Sequence, residues 1–355
     1  MKKGLIIALI GLLSYSCETY NAQGVNQDQV NALSIGTTET NLKNPYKNPV
    51  LNADFPDPQV FKASNGWFYA YATQTPGKNI QAAKSKDMVH WEILGDAMPV
   101  KPKWSGDTQN FWAPHVLEDK GKYYMYYSGE IRGLGYAISV AKSDSPEGPF
   151  VDNGTPIVKG ESFVNIDPMP FDDPKTKKKY LYWGSGFQPI KVQELDNDRS
   201  RFAAGSKPVN VVNPQNIPYE HLIEGAWVVY RNGYYYMYYS GDNCCEREPL
   251  YGVLVARSKS ATGPFQKMAE VTKKENSLIL EKNDVWTGVG HNSIITDAKG
   301  QDWIVYHGID RKNFYIPGTQ SVRRPMLIDK VDYKNGWPVI KNSEPSSMLQ
   351  EGPAL

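Results

Sequence analysis

Five short segments share one pattern of hydrophobic positions, in which a run rich in aromatic residues ends in a small or hydroxyl-bearing residue. They are residues 67–73 (WFYAYAT), 122–128 (KYYMYYS), 179–185 (KYLYWGS), 234–240 (YYYMYYS) and 302–308 (DWIVYHG). Their last residues lie 55, 57, 55 and 68 positions apart. Aromatic runs of this length, several of them preceded by a turn dipeptide that ends in Gly, predict β-strands.

A second element repeats after some of these strands. Residues 135–150 and 252–265 each join a strand ending in Ala-Lys-Ser or Ala-Arg-Ser to a Gly-Pro-Phe turn, and residues 82–91 form a looser copy. Units repeated at this spacing predict an all-β fold, a five-bladed β-propeller. A β-sandwich is the alternative, but it does not require five similar units. Amphipathic helices of useful length are almost lacking, which argues against a barrel of alternating strands and helices.

The repeats align one chemically active residue per unit. Counting back 16 to 18 positions from the last residue of each segment gives Asp57, Trp112, Asp167, Glu224 and His291. Because the first strand of each blade lines the central channel, we expect these residues to form an active site at one end of the axis. Each acid alone could instead serve a local turn, as in Asp-Pro. Turn chemistry does not explain acids at a shared position.

Three carboxylates at one channel mouth fit acid–base hydrolysis of a glycosidic bond. One must be protonated to donate to the leaving oxygen and another ionised to activate water, and their proximity and burial separate their pKa values. The chain of 355 residues has 39 Lys and Arg against 38 Asp and Glu, a net charge of +1. This near-zero net charge is not the excess of basic residues expected of a nucleic-acid binder, and it is compatible with a neutral sugar as substrate. Its 23 Tyr and 9 Trp fit either sugar stacking or sheet cores.

The N-terminus has the pattern of a secretory signal. Lys2 and Lys3 precede an apolar run that is too short to span a bilayer, and Cys17 lies where a bacterial lipoprotein carries its lipid. We expect a signal at residues 1–17, a polar tether at 18–47 and the catalytic propeller at 48–355. Ordinary cleavage near Cys17 is the alternative. The predicted location is the periplasm or cell surface of a bacterium, with membrane contact only through the lipid.

The motifs around the acids resemble glycoside hydrolase family 43 from about Asn48 to Ile340. The matching segments are residues 48–51 (NPVL), 55–60 (FPDPQV), 111–115 (FWAPH), 145–150 (SPEGPF), 163–168 (FVNIDP), 223–227 (IEGAW) and 290–293 (GHNS). The resemblance implies a five-bladed propeller and an inverting mechanism. It implies Asp57 as general base, Glu224 as general acid, and Asp167 as the carboxylate that orients the acid and modulates its pKa. Ala226 departs from the pattern, which more often has Pro there.

The resemblance also implies accessory roles. His291 would hold a structural calcium ion or its waters, with a core histidine as the alternative, and the chemistry itself needs no cofactor. Trp112 would stack on a sugar face, or merely pack between blades. Arg324 matches the substrate-binding arginine, with Arg323 as the competing choice. Cys244 and Cys245 are adjacent and form either a vicinal disulfide or two thiols, at the pocket rim or on a surface loop.

The expected substrate is an oligosaccharide or polysaccharide that contains arabinose or xylose. We favour an exo-acting α-L-arabinofuranosidase, followed by a β-xylosidase, an endo-arabinanase and a galactan-acting enzyme. A propeller that binds carbohydrate without cleaving it is a more distant alternative, and it would not need a proton donor. A retaining or phosphorolytic propeller enzyme is another, since such enzymes also place acids around the axis.

Overall fold

The computed structural model describes residues 42–355. The predicted signal at 1–17, Cys17 and the predicted tether as far as residue 41 lie outside the described residues. Within the described part, no helix has the length and apolar character needed to cross a membrane.

Five antiparallel sheets follow one another along the chain, and in each the first four strands pair in chain order. Blade I contains β1 (Gln59–Lys62), β2 (Phe68–Ala72), β3 (Gln81–Ser85) and β4 (Trp91–Asp96). Blade II contains β5 (Phe111–Asp119), β6 (Lys122–Ile131), β7 (Gly135–Ser143), β8 (Val151–Asp152) and β9 (Val158–Lys159), and blade III contains β10 (Met169–Asp172), β11 (Lys179–Trp183), β12 (Ile190–Glu194) and β13 (Val209–Val212). Blade IV contains β14 (Ile223–Arg231), β15 (Tyr234–Asp242), β16 (Tyr251–Ser258), β17 (Gln266–Lys267) and β18 (Leu278–Leu280), and blade V contains β19 (Trp286–Thr296), β20 (Asp302–Asp310), β21 (Met326–Lys334) and β22 (Trp337–Val339).

Helices contribute little to the described chain. One α-helical turn spans Met268–Thr272, and two 3₁₀ turns span Lys103–Ser105 and Lys341–Ser343. The architecture is the predicted five-bladed β-propeller, and the β-sandwich alternative is excluded.

The aromatic segments form the second strand of every blade. These strands have neighbouring blades against both faces, which explains why they are continuously apolar instead of alternating. Tyrosine suits this place because its ring fills the core while its hydroxyl finds an acceptor. Tyr235 donates to Asp173 and Tyr306 donates to Asp329, each at 2.6 Å.

The N-terminal segment of the described chain closes the ring of blades. Tyr46 bridges to Gln350 and its buried ring packs edge-on against Trp303 of blade V. Leu51 bridges to Met326 in β21. The packed unit therefore includes residues that the sequence analysis assigned to the tether, because Tyr46 buries an aromatic ring before the expected boundary at Asn48.

One glycine sets how closely the chain entering blade IV approaches β15. A Cβ on Gly241 would lie 1.7 Å from the carbonyl oxygen of Tyr219. The next residue, Asp242, accepts the backbone N–H groups of Tyr219, His221 and Leu222 at 2.6, 2.9 and 3.1 Å. These three hydrogen bonds fix the position of the chain that leads into Glu224 on β14.

We expect Gly241→Ala to lower the free energy of unfolding by at least about 3 kcal/mol, because a backbone carbonyl cannot move aside as a side chain does. Gly95→Ala is the matched control: Gly95 also lies in a strand, but a Cβ there meets nothing within 4 Å. Urea unfolding followed by tryptophan fluorescence measures both variants. Equal urea midpoints for the two variants would show that the close approach of Gly241 to the carbonyl of Tyr219 does not constrain the fold.

Candidate active site

A cavity of about 820 Å³ opens at one end of the propeller axis. All six residues that the sequence analysis selected line it: Asp57, Trp112, Asp167, Glu224, His291 and Arg324. Its rim comes from loops of blades I, IV and V, represented by Thr75, Cys244 and Thr319, and from the connections between blades I and II and between blades II and III, represented by Asn110 and Phe163.

Left-handed backbone marks one position in every blade. The residues are Asp57 (φ +56°), Ala113 (+44°), Asp167 (+57°), Gly225 (+60°) and His291 (+50°). The shared position inferred from the sequence therefore needs a correction in two blades, where Trp112 and Glu224 come one residue before it. The hairpin between the first two strands is one residue shorter in these blades, where His115 pairs with Tyr126 and Trp227 with Tyr238, than in blade I, where Gln59 pairs with Tyr71.

Each left-handed residue donates its backbone N–H to a side chain of the preceding blade, and we call these five bonds the axial ring. The donors and acceptors are Asp57 to His307 Nδ1 (3.1 Å), Ala113 to Thr73 Oγ1 (2.9 Å), Asp167 to Ser128 Oγ (2.9 Å), Gly225 to Asp167 Oδ2 (3.0 Å) and His291 to Ser240 Oγ (2.7 Å). Thr73, Ser128 and Ser240 end the aromatic segments of the repeat. Their hydroxyl groups were a sequence signal for this ring, although the sequence analysis used them only for counting.

Asp57 is held as a carboxylate. Arg324 donates to Oδ1 at 3.1 Å, and the hydroxyl of Thr73 donates to Oδ2. Burial alone would raise the pKa of Asp57, but Arg324, His291 and His307 together lower it well below its ordinary value. His307 was missed by the sequence analysis, which aligned the neighbouring Gly308.

Asp167 and Glu224 have the opposite electrostatic environment. Burial, and then the charges of Glu224 and Asp57, raise the pKa of Asp167 well above its ordinary value. Burial is also the main cause that raises the pKa of Glu224 to about 7, opposed by the hydroxyl of Tyr251, which donates to Oε1 at 2.8 Å. The pair therefore keeps a proton near neutral pH while Asp57 stays ionised.

His291, Asp167 and Glu224 offer possible metal-ligand atoms that lie within 4.8 Å of one another, and the calcium role of His291 stays a prediction. Calcium takes six to eight oxygen ligands, so a site with one imidazole would need several waters. The cavity behind the carboxylates, lined by His115, His291 and Asn292, measures only about 20 Å³, roughly the space of one water. Both amide atoms of buried Asn292 lack a protein partner, which fits a single buried water. No step below uses a metal.

The remaining predicted residues face the pocket as expected of binding residues. Trp112 stacks on Tyr136 with ring centroids 4.2 Å apart, and both side chains line the cavity. Of the two adjacent arginines, Arg324 reaches Asp57, whereas Arg323 donates to both oxygens of Asn52 at 2.6 Å. Tyr136 and Tyr251 were missed, because tyrosine occurs in so many strands of this chain that neither stands out.

The geometry defines a class of enzyme, in which buried carboxylates of opposite protonation meet at the axis of a propeller and act on a glycosidic bond. The chain matches the model described as glycosyl hydrolases family 43 over residues 46–338. The chain therefore belongs to family 43 of the glycosyl hydrolases, enzymes that hydrolyse glycosidic bonds with inversion at the anomeric carbon.

Two relatives and one solved structure illustrate the likeness. An extracellular endo-alpha-(1->5)-L-arabinanase of Bacillus subtilis is 29% identical, over 79% of this chain and 86% of its own. An extracellular exo-alpha-(1->5)-L-arabinofuranosidase of Cellvibrio japonicus is 26% identical, over 84% and 89%. The crystal structure of a thermostable family-43 glycoside hydrolase is 27% identical with a TM-score of 0.74, over 87% of this chain and 99% of that one.

We expect Arg324→Gln to reduce kcat/KM on an aryl glycoside by about 10- to 100-fold, the value of a hydrogen bond to a charged group. The same substitution at Arg323 should leave kcat/KM within about twofold, because its partner Asn52 does not line the pocket. Steady-state kinetics of the two variants provides the comparison. A larger loss at Arg323 than at Arg324 would reverse the assignment.

Proposed function

We propose that the protein is an exo-acting α-L-arabinofuranosidase that removes terminal arabinose from oligosaccharides or polysaccharides. The observation that carries this proposal is the rim of the cavity, to which loops of blades I, IV and V and the connections on both sides of blade II contribute. A cavity walled on several sides accepts a chain end, whereas an internal bond requires a cleft that is open at both ends. Arabinose is favoured because the relatives described above act on α-L-arabinosyl linkages.

Asp57 acts as the general base in this proposal. Its ionised carboxylate accepts a proton from a water molecule as that water attacks the anomeric carbon. Thr73 and Arg324 occupy both carboxylate oxygens and so hold the group in one orientation. Arg324 keeps Asp57 ionised but also makes it a weaker base. The arrangement therefore favours a fixed orientation of the carboxylate over a high affinity for the proton.

Glu224 acts as the general acid and donates its proton to the leaving oxygen. A pKa of about 7 keeps it substantially protonated at neutral pH, and Ser185 and Tyr251 orient its two oxygens. Asp167 modulates this acid: its Oδ2 accepts the N–H of Gly225, the residue after Glu224, and repulsion between the two carboxylates opposes their simultaneous ionisation.

The proposal includes export. The two relatives described above are extracellular proteins, and the N-terminal pattern ending at Cys17 is typical of a bacterial lipoprotein signal. A periplasmic or surface-anchored enzyme of this kind would meet oligosaccharides without importing them.

A panel of aryl glycosides, with α-L-arabinofuranoside and β-D-xyloside first, tests the substrate. We expect turnover of the arabinofuranoside by the wild type, near-complete loss in Asp57→Asn, and arabinose as the sole early product from linear arabino-oligosaccharides. Faster turnover of the xyloside would identify a β-xylosidase. Early release of dimers and trimers would identify an endo-acting enzyme, and retained activity in Asp57→Asn would place the base elsewhere.

The pH dependence tests the acid. Because Glu224 must be protonated, kcat/KM on substrates with poor leaving groups should fall as pH rises through about 7. Asp57 must be ionised, and its low pKa places the acidic limb well below pH 4. Activated aryl glycosides need little protonation, so Glu224→Ala should spare them more and should lack the alkaline limb. Equal losses on both substrates would remove Glu224 from this role.

A further inference from the structure

The two cysteines of blade IV form a disulfide in the wall of the catalytic pocket. Cys244 and Cys245 are bonded to each other, and both line the cavity that contains Glu224 and Asp167. Cys244 is half-buried and Cys245 is exposed. Of the alternatives left open by the sequence, the structure therefore shows a vicinal disulfide at the pocket rim.

The loop that carries the disulfide is held at its base and along one side. At the base of the loop, Asp242 of β15 pairs with Tyr251 of β16. The hydroxyl of Tyr251 donates to Glu224. On the side toward blade V, a Cβ on Gly288 would lie 3.2 Å from the carbonyl oxygen of Cys244, so the loop packs directly on β19. Glu248 accepts from Arg311 at 3.1 Å.

The tip of the loop has weaker support. The N–H of Cys245 lies 3.4 Å from Asn243 Oδ1, and the side chain of Asn243 bonds to Glu246 within the same loop. Residues 245–248 are exposed. The disulfide is a covalent constraint between two adjacent residues at the point where this loop meets the cavity, and it removes conformational freedom that binding would otherwise have to remove.

We propose that the Cys244–Cys245 disulfide is a substrate-contacting wall of the catalytic pocket, and that its reduction weakens binding of the sugar. This proposal rests on the proposed function in one respect only, that the molecule bound in the pocket is a sugar. The two sulfur atoms offer a compact, polarisable and apolar surface, suited to the C–H face of a sugar ring. Their covalent bond holds that surface in place before the substrate arrives.

Reduction is a balanced exchange with a dithiol. The reagent transfers two electrons and two protons to the S–S bond, which becomes two thiols, and the dithiol closes to its own cyclic disulfide. Each cysteine then regains rotation about its side chain, and the wall loses its defined shape. An exported enzyme would keep the disulfide in an oxidising compartment.

Kinetics before and after dithiothreitol test the proposal. The substrate is whichever aryl glycoside the wild type hydrolyses fastest, so failure of the arabinose assignment does not affect the result. We expect KM to rise about 5- to 10-fold, with kcat within about twofold, as expected for lost binding that is uniform between ground and transition states. Alkylation and mass spectrometry confirm that residues 244 and 245 are both thiols.

The double variant Cys244→Ser/Cys245→Ser should reproduce the higher KM and show no further response to dithiothreitol. Glu248→Gln is the loop control, since it removes the negative charge that faces Arg311 without altering a pocket residue, and its KM should stay within about twofold. An unchanged KM in both the reduced wild type and the double variant would overturn the proposal. So would a fall in kcat at constant KM, which would indicate an effect on Glu224 through Tyr251.

Discussion

The axial ring is the constraint on which the active site depends. A backbone N–H buried at the centre of a propeller must find an acceptor, and five left-handed residues direct theirs to the preceding blade. The same bonds tie each blade to its neighbour and orient the side chains at the axis. Asp167 shows both functions at once, because its N–H bonds to Ser128 while its carboxylate accepts from Gly225. Scaffold and catalytic geometry are therefore one hydrogen-bond system.

This ring brings the carboxylates together, and the placement of one cation then makes them different. Arg324 donates to Asp57 and keeps it ionised. Burial raises the pKa of Glu224, and the hydroxyls of Tyr251 and Ser185 lower it only in part. Repulsion among the acids does the rest, since each ionised neighbour raises the pKa of Asp167. A symmetrical fold thus produces an asymmetric site through one arginine contributed by the segment before β21.

Much of the fold and the acids could be predicted from the sequence, because both follow from repetition. The aromatic second strands recur at regular spacing, and counting from them located Asp57, Asp167 and His291 at the left-handed position. The count was one residue early at Trp112 and Glu224, because the hairpins of these two blades are one residue shorter than that of blade I, which a fixed spacing does not reveal. His307 was missed because it reaches Asp57 from the neighbouring blade, and Tyr251 because it reaches Glu224 from the third strand of the same blade; no local pattern encodes either contact. Tyr46 was assigned to the tether because its burial depends on Trp303, far away in the chain.

The sugar is harder to predict than the chemistry for a physical reason. Protonating a leaving oxygen and activating water require carboxylates at defined positions, and the repeat supplies those positions. Recognition of one sugar depends on the rim, where the loops carrying Thr75, Cys244 and Thr319 extend beyond the repeated strands. These loops are irregular, so their shapes follow from individual contacts such as the packing of Cys244 on Gly288. A propeller can therefore keep one mechanism at its axis while its loops determine which chain end enters.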